Sequence, residues 1–288
     1  MPSLDARGGD LPFRRIGIVG LGLIGASIGL AARRRWPAIE VAGVDRAETT
    51  ADAIALGAAT TSSGTVRELG GANLIVLATP VNVIVDLLQN ARDVGMSALM
   101  TDVGSTKRRI MAAAGRNVRF IGGHPMAGAA RGGLENARAD LFTGCPWLLV
   151  PGKTSADDAA RLSEFVRGLG ADPIVVDAET HDRAVAFVSH LPQLLSVALM
   201  TVAGRETGNT GLRIAGPAFR DMTRLAESSP DVWRDIVRSN ADFINEALEA
   251  FVAALPTSNA TADASWIDQA FPAARAWRAR LGAQSPTP

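Results

Sequence analysis

The sequence lacks the features that mark disulfide-bonded, nucleic-acid-binding and membrane-spanning proteins. Its 288 residues include a single cysteine, Cys145, so no disulfide can form within the chain. The 29 Lys and Arg residues equal the 29 Asp and Glu residues, and this zero net charge gives no reason to expect nucleic acid as a partner. The one dense basic run, Arg33–Arg35, closes a predicted helix, where positive charges complement the helix dipole.

Long apolar segments are lacking as well. The most apolar window, Leu74–Leu88, is interrupted by Pro80, Asn82 and Asp86 and is shorter than the roughly 20 apolar residues that span a bilayer. Residues 1–15 contain no apolar stretch of the kind found in a signal peptide. We therefore expect a cytoplasmic protein that neither spans nor binds a membrane, and a lone cysteine fits a reducing compartment.

What the first part of the chain does contain is short apolar runs that alternate with amphipathic or alanine-rich segments. The runs predict strands at Arg15–Val19, Val41–Val44, Leu74–Ala78, Ala98–Val103, Val118–Ile121, Trp147–Val150 and Pro173–Val176. The intervening segments predict helices at Gly25–Arg35, Ala51–Leu56, Val83–Ala91, Lys107–Ala114 and Ala156–Leu169. Strands separated by helices indicate βαβ units and a mostly parallel sheet.

The pattern changes after Asp177, where strand-like runs stop. Thr180 is a predicted N-cap for a long helix that runs through His190 towards Arg205. Further helical segments are predicted at Arg220–Glu227, Asp231–Leu255 and Ser265–Leu281. We therefore predict an α/β protein with a Rossmann-type, mostly parallel sheet domain at residues 1–178 and an all-α domain at residues 179–288.

A glycine-rich turn connects the first predicted strand to the first predicted helix. Gly20, Gly22 and Gly25 match the Gly-x-Gly-x-x-Gly fingerprint of dinucleotide-binding proteins, and Leu23 and Ile24 complete the turn. The first glycine allows the tight turn, the second lets the backbone approach a pyrophosphate, and the third lets the helix pack closely on the strand. The pyrophosphate is then expected at the positive N-terminus of the helix.

Two further strand ends complete the predicted dinucleotide site. Asp45 follows the second strand, about 20 residues after the last glycine, where an acid accepts hydrogen bonds from the ribose hydroxyls and favours NAD. Arg46 comes next and offers a cation for a 2′-phosphate, so NADP stays open as an alternative. Thr79 and Pro80 close the next long strand and are expected to line the cofactor cleft, because ligands bind beyond the carboxyl ends of such strands.

Two more strand ends carry candidate catalytic residues. Ser105 lies in Asp102–Lys107, between a predicted strand and a helix, where a serine is as often an N-cap as a site residue. His124 lies between glycines and a proline in what reads as a loop after a strand. Its ordinary pKa of about 6.5 allows it to accept or donate a proton near neutrality, although a loop histidine can also have no role.

These motifs belong to a longer pattern, through which the chain resembles the prephenate and arogenate dehydrogenases over essentially its whole length. The matching segments are Gly20–Gly25, Asp102–Lys107, His124–Gly128, Leu141–Phe142, His181, Ser189–Pro192, Phe219–Arg224 and Trp233–Asp235. A generic Rossmann dehydrogenase would share only the first of these segments.

The resemblance implies roles for individual residues. His124 matches the family's catalytic histidine, which binds the ring hydroxyl and accepts its proton, and Ser105 matches a serine that helps to hold that hydroxyl. Arg224 matches the arginine that binds the ring carboxylate, although an arginine on a surface helix is what the residue pattern alone favours. Trp233 matches a tryptophan near the substrate, and Ser189 matches a serine in the cleft.

Other histidines and two departures from the family pattern bear on the substrate. His190 is expected to be a packed helix histidine, and His181 a surface residue in the first turn of its helix. Many relatives have Thr or Ser and an acid where this chain has Ala129 and Ala130. Many also have a second histidine after the Leu-Pro pair, where this chain has Gln193, a residue expected near the substrate side chain.

The function that the resemblance implies is NAD-dependent oxidative decarboxylation of prephenate to 4-hydroxyphenylpyruvate in tyrosine biosynthesis, by a homodimer without a metal site. The alternative is an arogenate dehydrogenase or a dual-specificity cyclohexadienyl dehydrogenase, which would give tyrosine directly. Another Rossmann reductase is more remote, because such enzymes typically use a lysine in their helical part, and Lys107 and Lys153 both precede it. A non-catalytic NAD-binding sensor would not need His124 and Ser105 at converging strand ends.

Overall fold

One eight-stranded sheet forms the first part of the protein in the computed structural model, which describes residues 11–94, 97–115, 118–128, 132–256 and 265–283. The strands are β1 Arg15–Val19, β2 Glu40–Val44, β3 Thr61–Ser62, β4 Leu74–Leu77, β5 Leu99–Asp102, β6 Phe120–Pro125, β7 Pro146–Pro151 and β8 Asp172–Val175. The helices among them are α1 Leu23–Arg35, α2 Ala47–Ala55, α3 Val81–Val94, α4 Arg108–Ala114 and α5 Ala156–Gly168.

The strand order, β3-β2-β1-β4-β5-β6-β7-β8, confirms the predicted Rossmann-type sheet. Its first six strands are parallel and have the 3-2-1-4-5-6 order of dinucleotide-binding folds. Strand β7 pairs antiparallel with β6 and parallel with β8. The two-residue strand β3 was not predicted, because two exposed polar residues carry no apolar signal. Because β2, β1, β4 and β5 are adjacent and parallel, their carboxyl ends lie along one edge of the sheet.

Helices cover both faces of this sheet. On β4, Leu74 and Val76 join a buried cluster that includes α1 and α5, whereas Ile75 and Leu77 join a second cluster that includes α3 and α4. Successive side chains of a strand point to opposite faces, so a strand buried on both sides must be apolar at every position. This explains why a continuous apolar run predicted β4.

Helices alone make up the described part of the chain after β8. They are α6 Ala178–Val185, α7 Leu191–Ile214, α8 Pro217–Thr223, α9 Pro230–Ser239, α10 Ala241–Ala254 and α11 Ser265–Ala283, with a π-helical turn at Ala186–His190 and a 3₁₀ turn at Arg224–Glu227. The all-α character of this part is therefore as predicted. A small core of its own, which includes Ala186, Leu191 and Ile244, holds the π-helical turn, α7 and α10 together.

Two details of the helical part differ from the prediction. The N-cap of α6 is Asp177, not Thr180, because the Asp177 carboxylate accepts the Thr180 N–H at 2.8 Å and leaves Thr180 inside the first turn. The predicted segment Asp231–Leu255 is interrupted at Asn240, whose backbone leaves the helical conformation (φ −134°, ψ 28°) between α9 and α10. The side chain of Asn240 is used for contacts with other elements, as described below.

The helical segment Ala178–Ile214 is the one among the described residues that could cross a membrane by length and composition, and 28% of its most apolar window is buried. The window singled out in the sequence, Leu74–Leu88, consists of β4 and part of α3 inside the first domain. Helix α7 exposes the apolar side chains of Val197, Val202, Leu212 and Ile214.

Candidate active site

The turn between β1 and α1 has the geometry that its three glycines predict. Gly20 has a φ of +94°, and a Cβ there would lie 2.4 Å from the carbonyl oxygen of Ala78. A Cβ on Gly25 would lie 1.9 Å from the carbonyl oxygen of Gly20, so only glycine lets the helix approach the strand. A Cβ on Gly22 would meet nothing within 4 Å, so this residue borders open space at the N-cap of α1. Leu23 and Ile24 form the first turn of α1.

The ends of β2 and β4 flank this turn. Asp45 accepts the N–H of Leu21 at 2.7 Å and the N–H of Arg46 at 2.7 Å, which fixes its carboxylate beside the turn. Thr79, which precedes the exposed Pro80, has a buried hydroxyl oxygen without a hydrogen-bond partner, and its methyl carbon would lie 3.0 Å from a Cβ on Gly20. The glycine turn, a fixed carboxylate and a buried hydroxyl without a partner thus lie at the ends of three adjacent strands, β1, β2 and β4.

Asp102, at the end of β5, ties the two strand ends that carry the candidate catalytic residues. Its side chain is fully buried and accepts the N–H of Gly104 at 2.7 Å and the N–H of Gly123 at 3.0 Å. The ammonium group of Lys107, also fully buried, forms an ion pair with the same carboxylate. Burial lowers the pKa of Lys107, and the charge of Asp102 opposes that shift. Asp102 thereby joins the segment of Ser105 to that of His124.

Ser105 and His124 occupy different local structures from those that the sequence suggested. Helix α4 begins at Arg108 with Lys107 as its N-cap residue, so half-buried Ser105 does not cap it. His124 was predicted in a loop but lies inside β6, which extends to Pro125 because it pairs antiparallel with β7 and places His124 opposite Leu148. The His124 side chain is buried, with 8% of its surface exposed, and its position is set by the sheet.

His181 was predicted on the surface, and this is wrong: only 1% of its surface is exposed. Its Nε2 atom lies 2.9 Å from Nδ1 of His124, and its Nδ1 atom lies 2.8 Å from a carboxylate oxygen of Asp182. The periodicity of α6 did not reveal this burial, because the residues that cover His181 come from the sheet domain. The helical part therefore places two side chains, His181 and Asp182, behind His124.

Asp182 also holds the sheet and the helical part together. Its carboxylate accepts the backbone N–H groups of Lys107 at 2.6 Å and Arg108 at 3.0 Å, and the Nε–H of Arg108 at 3.2 Å. Arg108 donates further hydrogen bonds to Asp242 at 2.7 and 2.6 Å. The contact between α4 and α6 thus rests on a fully buried carboxylate with four donors.

The pKa shifts around His124 keep its ring neutral. Burial is the main cause that lowers the pKa of His124 well below its ordinary value, and the nearby His181, Lys107 and His190 lower it further. Burial likewise lowers the pKa of His181, against the opposing effect of its hydrogen bond to Asp182. Burial alone would raise the pKa of Asp182, but hydrogen bonds from His181 and from the backbone of Arg108 and Lys107 outweigh it and lower the pKa. The site therefore contains two neutral imidazoles and a carboxylate.

His190 is a buried helix histidine, as predicted, and it belongs to the same cluster. Its Nδ1 lies 3.2 Å from Nδ2 of Asn240, and its ring makes an edge-to-face contact with Trp233 at 5.9 Å between centroids. Asn240 also donates to the carbonyl oxygen of Asp182 at 2.8 Å. Burial lowers the pKa of His190 to about 4, so this ring is also neutral at pH 7.

The candidate substrate-binding residues of the helical part lie on neighbouring turns. Gln193 is buried; its Nε2 donates to the carbonyl oxygen of Leu225 at 2.7 Å, and its Oε1 accepts from the hydroxyl of Ser228 at 3.2 Å. Gln193 therefore fastens α7 to the 3₁₀ turn that begins with the exposed Arg224. Ser189 is half-buried in the π-helical turn just before α7.

A cavity of about 570 Å³ lies in the helical part beside these residues. Gln193 and Trp233 both line it, together with apolar residues of α7 and α9 such as Leu194 and Val237. Its lining comes from the helical part alone, and His124 is not among the lining residues. The structure thus brings Gln193 and Trp233 together around one cavity. The alanines at 129 and 130, where the sequence departs from the family pattern, lie outside the described residues.

Several residues of the site were not identified from the sequence. None of Asp102, Lys107, Asp182 and Asn240 was predicted to be a site residue. The available signal was composition: a chain with only three histidines places all of them, His124, His181 and His190, in one buried cluster. Buried acids at such a cluster were not evident from periodicity, because charged residues ordinarily indicate a solvent-facing position.

A Rossmann sheet with an open glycine turn, and a buried neutral histidine between that sheet and a helical part, define the class of nucleotide-dependent dehydrogenases with a helical second domain. Comparison with known proteins specifies the family. Residues 28–175 match the model of the prephenate dehydrogenase nucleotide-binding domain, and residues 177–265 match that of the prephenate dehydrogenase dimerization domain. The chain belongs to the prephenate dehydrogenase family of oxidoreductases.

Individual relatives agree with this assignment. The chain is 34% identical over 247 residues to a prephenate dehydrogenase of Lactococcus lactis, covering 83% of this chain and 68% of that protein. It resembles the crystal structure of Synechocystis arogenate dehydrogenase (29% identity, TM-score 0.77, 93% and 99% of the two chains covered). It also resembles prephenate dehydrogenase from A. aeolicus in complex with hydroxyphenyl propionate and NAD+ (25% identity, TM-score 0.82, 93% and 98% covered).

Proposed function

We propose that this protein catalyses the NAD-dependent oxidative decarboxylation of prephenate to 4-hydroxyphenylpyruvate, a step of tyrosine biosynthesis in the cytoplasm. The observation that carries the proposal is the buried, neutral His124 at the end of the sheet that holds the glycine turn. A neutral imidazole in this position accepts a proton from a substrate hydroxyl near pH 7. The family membership of the chain specifies which hydroxyl this is, the one on C4 of the cyclohexadiene ring.

The residues around the glycine turn fit a bound dinucleotide. The open space at Gly22 and the partnerless buried hydroxyl of Thr79 are what a site for a pyrophosphate and nicotinamide ribose requires. Asp45 keeps lone pairs for ribose hydroxyls even with two backbone N–H groups bound, because a carboxylate has about four acceptor positions. Bound NAD supplies the acceptor for the hydride that leaves C4. Pro80 completes the wall of this site.

Proton transfer at the hydroxyl oxygen is the task of the protein itself. His124 accepts the hydroxyl proton while C4 loses hydride, so a carbonyl develops at C4. The ring carboxylate then leaves as CO2, and its bonding electrons enter the ring, which becomes aromatic. The phenolate oxygen takes the proton back from His124, so the reaction releases no net proton. Ser105 holds the same oxygen, and its position beside the segment fixed by Asp102 supports this role.

The remaining roles concern the rest of the substrate. We assign Arg224 to the ring carboxylate, and its position at the start of an exposed turn leaves its guanidinium free to pair with an anion. Trp233 and Ser189 flank the same region on α9 and the π-helical turn. Gln193 holds the turn that begins with Arg224 and lines the cavity that would take the substrate side chain.

Arogenate is the second candidate substrate, and Gln193 favours considering it. A histidine at this position would repel the ammonium group of arogenate when protonated, whereas the neutral amide of Gln193 carries no charge. Both substrates keep the ring carboxylate, so Arg224 does not distinguish them. The protein would then be an arogenate dehydrogenase or a cyclohexadienyl dehydrogenase that accepts both substrates.

One assay tests the function and both alternatives. We would measure the formation of reduced cofactor from prephenate and from arogenate, each with NAD and with NADP. We expect turnover of at least one substrate, and a higher kcat/KM with NAD than with NADP, because Asp45 repels a 2′-phosphate. Better use of NADP would show that Arg46 is the dominant contact. An absence of turnover with both substrates would contradict the proposed function.

A further inference from the structure

Hydrogen bonds arrange the three histidines in two groups, His124–His181–Asp182 and His190–Asn240, which Asn240 links by donating to the carbonyl oxygen of Asp182. The first group ends on the Asp182 carboxylate, and the second ends on the Asn240 amide. A carboxylate can only accept, and an amide nitrogen can only donate. The proton positions on the three imidazole rings therefore follow from the two ends, although the coordinates contain no hydrogens.

The Asp182 end determines the state of His181. Because the carboxylate accepts from Nδ1 of His181 at 2.8 Å, that nitrogen carries a proton. The ring is neutral, since burial lowers its pKa, so its Nε2 has a lone pair and no proton. The lone pair faces Nδ1 of His124 at 2.9 Å and must accept a hydrogen from it.

The state of His124 follows from that of His181. Its single proton is on Nδ1 and is donated to His181, so its Nε2 has a free lone pair. Only this tautomer allows Nε2 to accept a proton from a substrate hydroxyl. Without an acceptor beside Nδ1, the proton would be free to move to Nε2 and block that nitrogen.

We propose that His181 and Asp182 are positioning residues that hold His124 in the Nδ1–H tautomer and so prepare its Nε2 as the base. The assignment rests on the proposed function in one respect, namely that His124 accepts the substrate proton. When Nε2 takes that proton, the charged ring of His124 still donates Nδ1–H to His181, and Asp182 stabilises the positive charge through His181. No group besides His124 changes its number of protons in this step.

The arrangement also makes the base depend on domain contact. His124 belongs to β6 of the sheet, whereas His181 and Asp182 belong to α6 of the helical part. The same Asp182 carboxylate is bound by the backbone N–H groups at the start of α4. His124 therefore acquires its reactive tautomer only where the helical part is docked on the sheet.

The Asn240 end predicts the opposite tautomer for His190. The orientation of the Asn240 amide is fixed, because its Oδ1 accepts from Arg108 at 3.1 Å and its Nδ2 donates to the carbonyl oxygen of Asp182. The same nitrogen faces Nδ1 of His190, so that nitrogen is an acceptor and the proton of His190 is on Nε2. His190 is therefore expected as the Nε2–H tautomer, and its NMR signal can be compared with those of the two Nδ1–H rings.

Nitrogen NMR of the full chain, labelled with [¹⁵N]histidine, tests these states directly, because two-bond ¹H–¹⁵N correlations distinguish the two tautomers and the cation. At pH 7.5 we expect two Nδ1–H rings and one Nε2–H ring. The single variants H124N, H181Q and H190Q assign the signals. A signal of His124 as Nε2–H or as a cation would overturn the proposal, whatever the enzyme activity is.

Kinetics of two substitutions provide the second test. His181→Leu removes the acceptor for Nδ1–H, and we expect kcat to fall by about 10²-fold or more while KM changes little. His181→Gln places an amide oxygen near the position of Nε2, and we expect it to recover most of kcat. Arg183→Ala is the control, because Arg183 lies on α6 with His181 but contacts the exposed Glu246 of α10 and the ring of Phe187, not the histidine cluster.

Thermal unfolding of each variant shows whether it is folded, so that a loss of kcat caused by the His124 tautomer can be told from a loss caused by unfolding. A folded His181→Leu protein with unchanged kcat would contradict the proposal, and so would a folded His181→Gln protein as slow as His181→Leu. If His181→Leu does not fold, the tautomers of the wild-type protein and the kcat of His181→Gln still decide. If the wild type turns over neither prephenate nor arogenate, the proposed function fails while the NMR result stands by itself.

Discussion

At the scale of single residues, the proposed chemistry depends on one nitrogen atom of the His124 ring, whose backbone lies in the sheet. His124 is fixed by pairing of β6 with β7, where it lies opposite Leu148, and by a hydrogen bond at Nδ1. Nothing in this arrangement lets the ring rotate without breaking contacts. The proton acceptor therefore needs little reorganisation when substrate binds, and its contribution should be separable from binding.

Replacement of His124 by Asn tests that separation. The amide keeps a hydrogen-bonding group near the substrate hydroxyl but cannot act as a base. We expect kcat to fall by about 10²–10⁴-fold, the usual contribution of a general base, while KM stays close to its wild-type value. Steady-state kinetics at saturating NAD would measure both constants. A variant with near-normal kcat would show that another group accepts the proton.

Gln193 allows a prediction about substrate choice. Its amide is engaged with Leu225 and Ser228, so a substitution alters both the turn that begins with Arg224 and the lining of the cavity. We predict that Gln193→His shifts the ratio of kcat/KM values towards prephenate by roughly 5–30-fold, which corresponds to about 1–2 kcal/mol for one altered polar contact. An unchanged ratio would show that residue 193 does not select the substrate.

At the scale of elements, the ends of β5 and β6 are joined by a buried ion pair. Asp102 and Lys107 are both fully buried, and Asp102 also binds the backbone at Gly104 and Gly123. Taking two charges out of water is unfavourable, so each partner depends on the other. The ion pair therefore fixes the chain at Gly104 and at Gly123, and loss of either charge should destabilise the protein.

We predict that Lys107→Met lowers the free energy of unfolding by about 3–5 kcal/mol, because it leaves the Asp102 charge buried without a counterion. The double variant with Asp102→Asn should regain part of this loss, since the buried charge is then gone. Chemical denaturation of the two single variants and the double variant measures the coupling. Equal stability of Lys107→Met and wild type would contradict the predicted coupling of the two charges.

At the scale of the whole molecule, the three buried histidines predict acid sensitivity. Their pKa values are lowered in the folded state, so the unfolded chain binds protons first as the pH falls below about 6.5. Stability is therefore complete above that pH and is lost as the pH falls towards the folded-state pKa values. For His190, with a pKa of about 4, the loss amounts to about 3 kcal/mol.

Urea denaturation at pH 7.5 and at pH 4.5 would measure this loss. The variant H190Q removes one of the three groups and should flatten the dependence on pH, whereas a substitution of the exposed Glu249 should leave it unchanged. The same slope in H190Q and wild type would contradict the predicted effect of His190. The sign would also be wrong if stability rose as the pH fell through this window.

Assembly is the other prediction at this scale, and we propose a homodimer formed by the helical part. Apolar side chains are exposed on the described residues of several helices: Val197, Val202, Leu212, Ile214, Val252, Phe271 and Trp277. A large apolar surface is uncommon on a monomer. The match of residues 177–265 to a dimerization domain supports assembly through this part of the chain.

Light scattering on purified protein should show a dimer at micromolar concentration. Val202→Glu introduces a charge on the exposed face of α7 and should shift the protein towards monomer. Val175→Glu is a matched control, because Val175 is equally an exposed valine but lies on the sheet. A wild-type monomer, or equal effects of the two substitutions, would contradict the proposed interface.

The elements whose formation depends on local sequence were predicted well. Strands β1 and β4 were visible because apolar residues fill consecutive positions, and the glycine turn was visible because its three glycines are required by the backbone itself. The break at Asn240 was not visible, because the residues on either side continue a helical pattern. The break is stabilised by contacts with Arg108 and His190, which are far away in the sequence.

The sequence by itself determined the Rossmann-type sheet, the helical second part, the dinucleotide turn and the identity of His124 as the candidate base. Only the tertiary structure showed that His181 contacts Nδ1 of His124 and that Asp182 contacts His181. His124 and His181 are 57 positions apart, and Asp182 meets Lys107 across 75 positions. Periodicity reports which face of an element is buried, but it contains no information about which distant residue covers that face. Donor and acceptor partners become known only when the two parts of the chain are placed against each other.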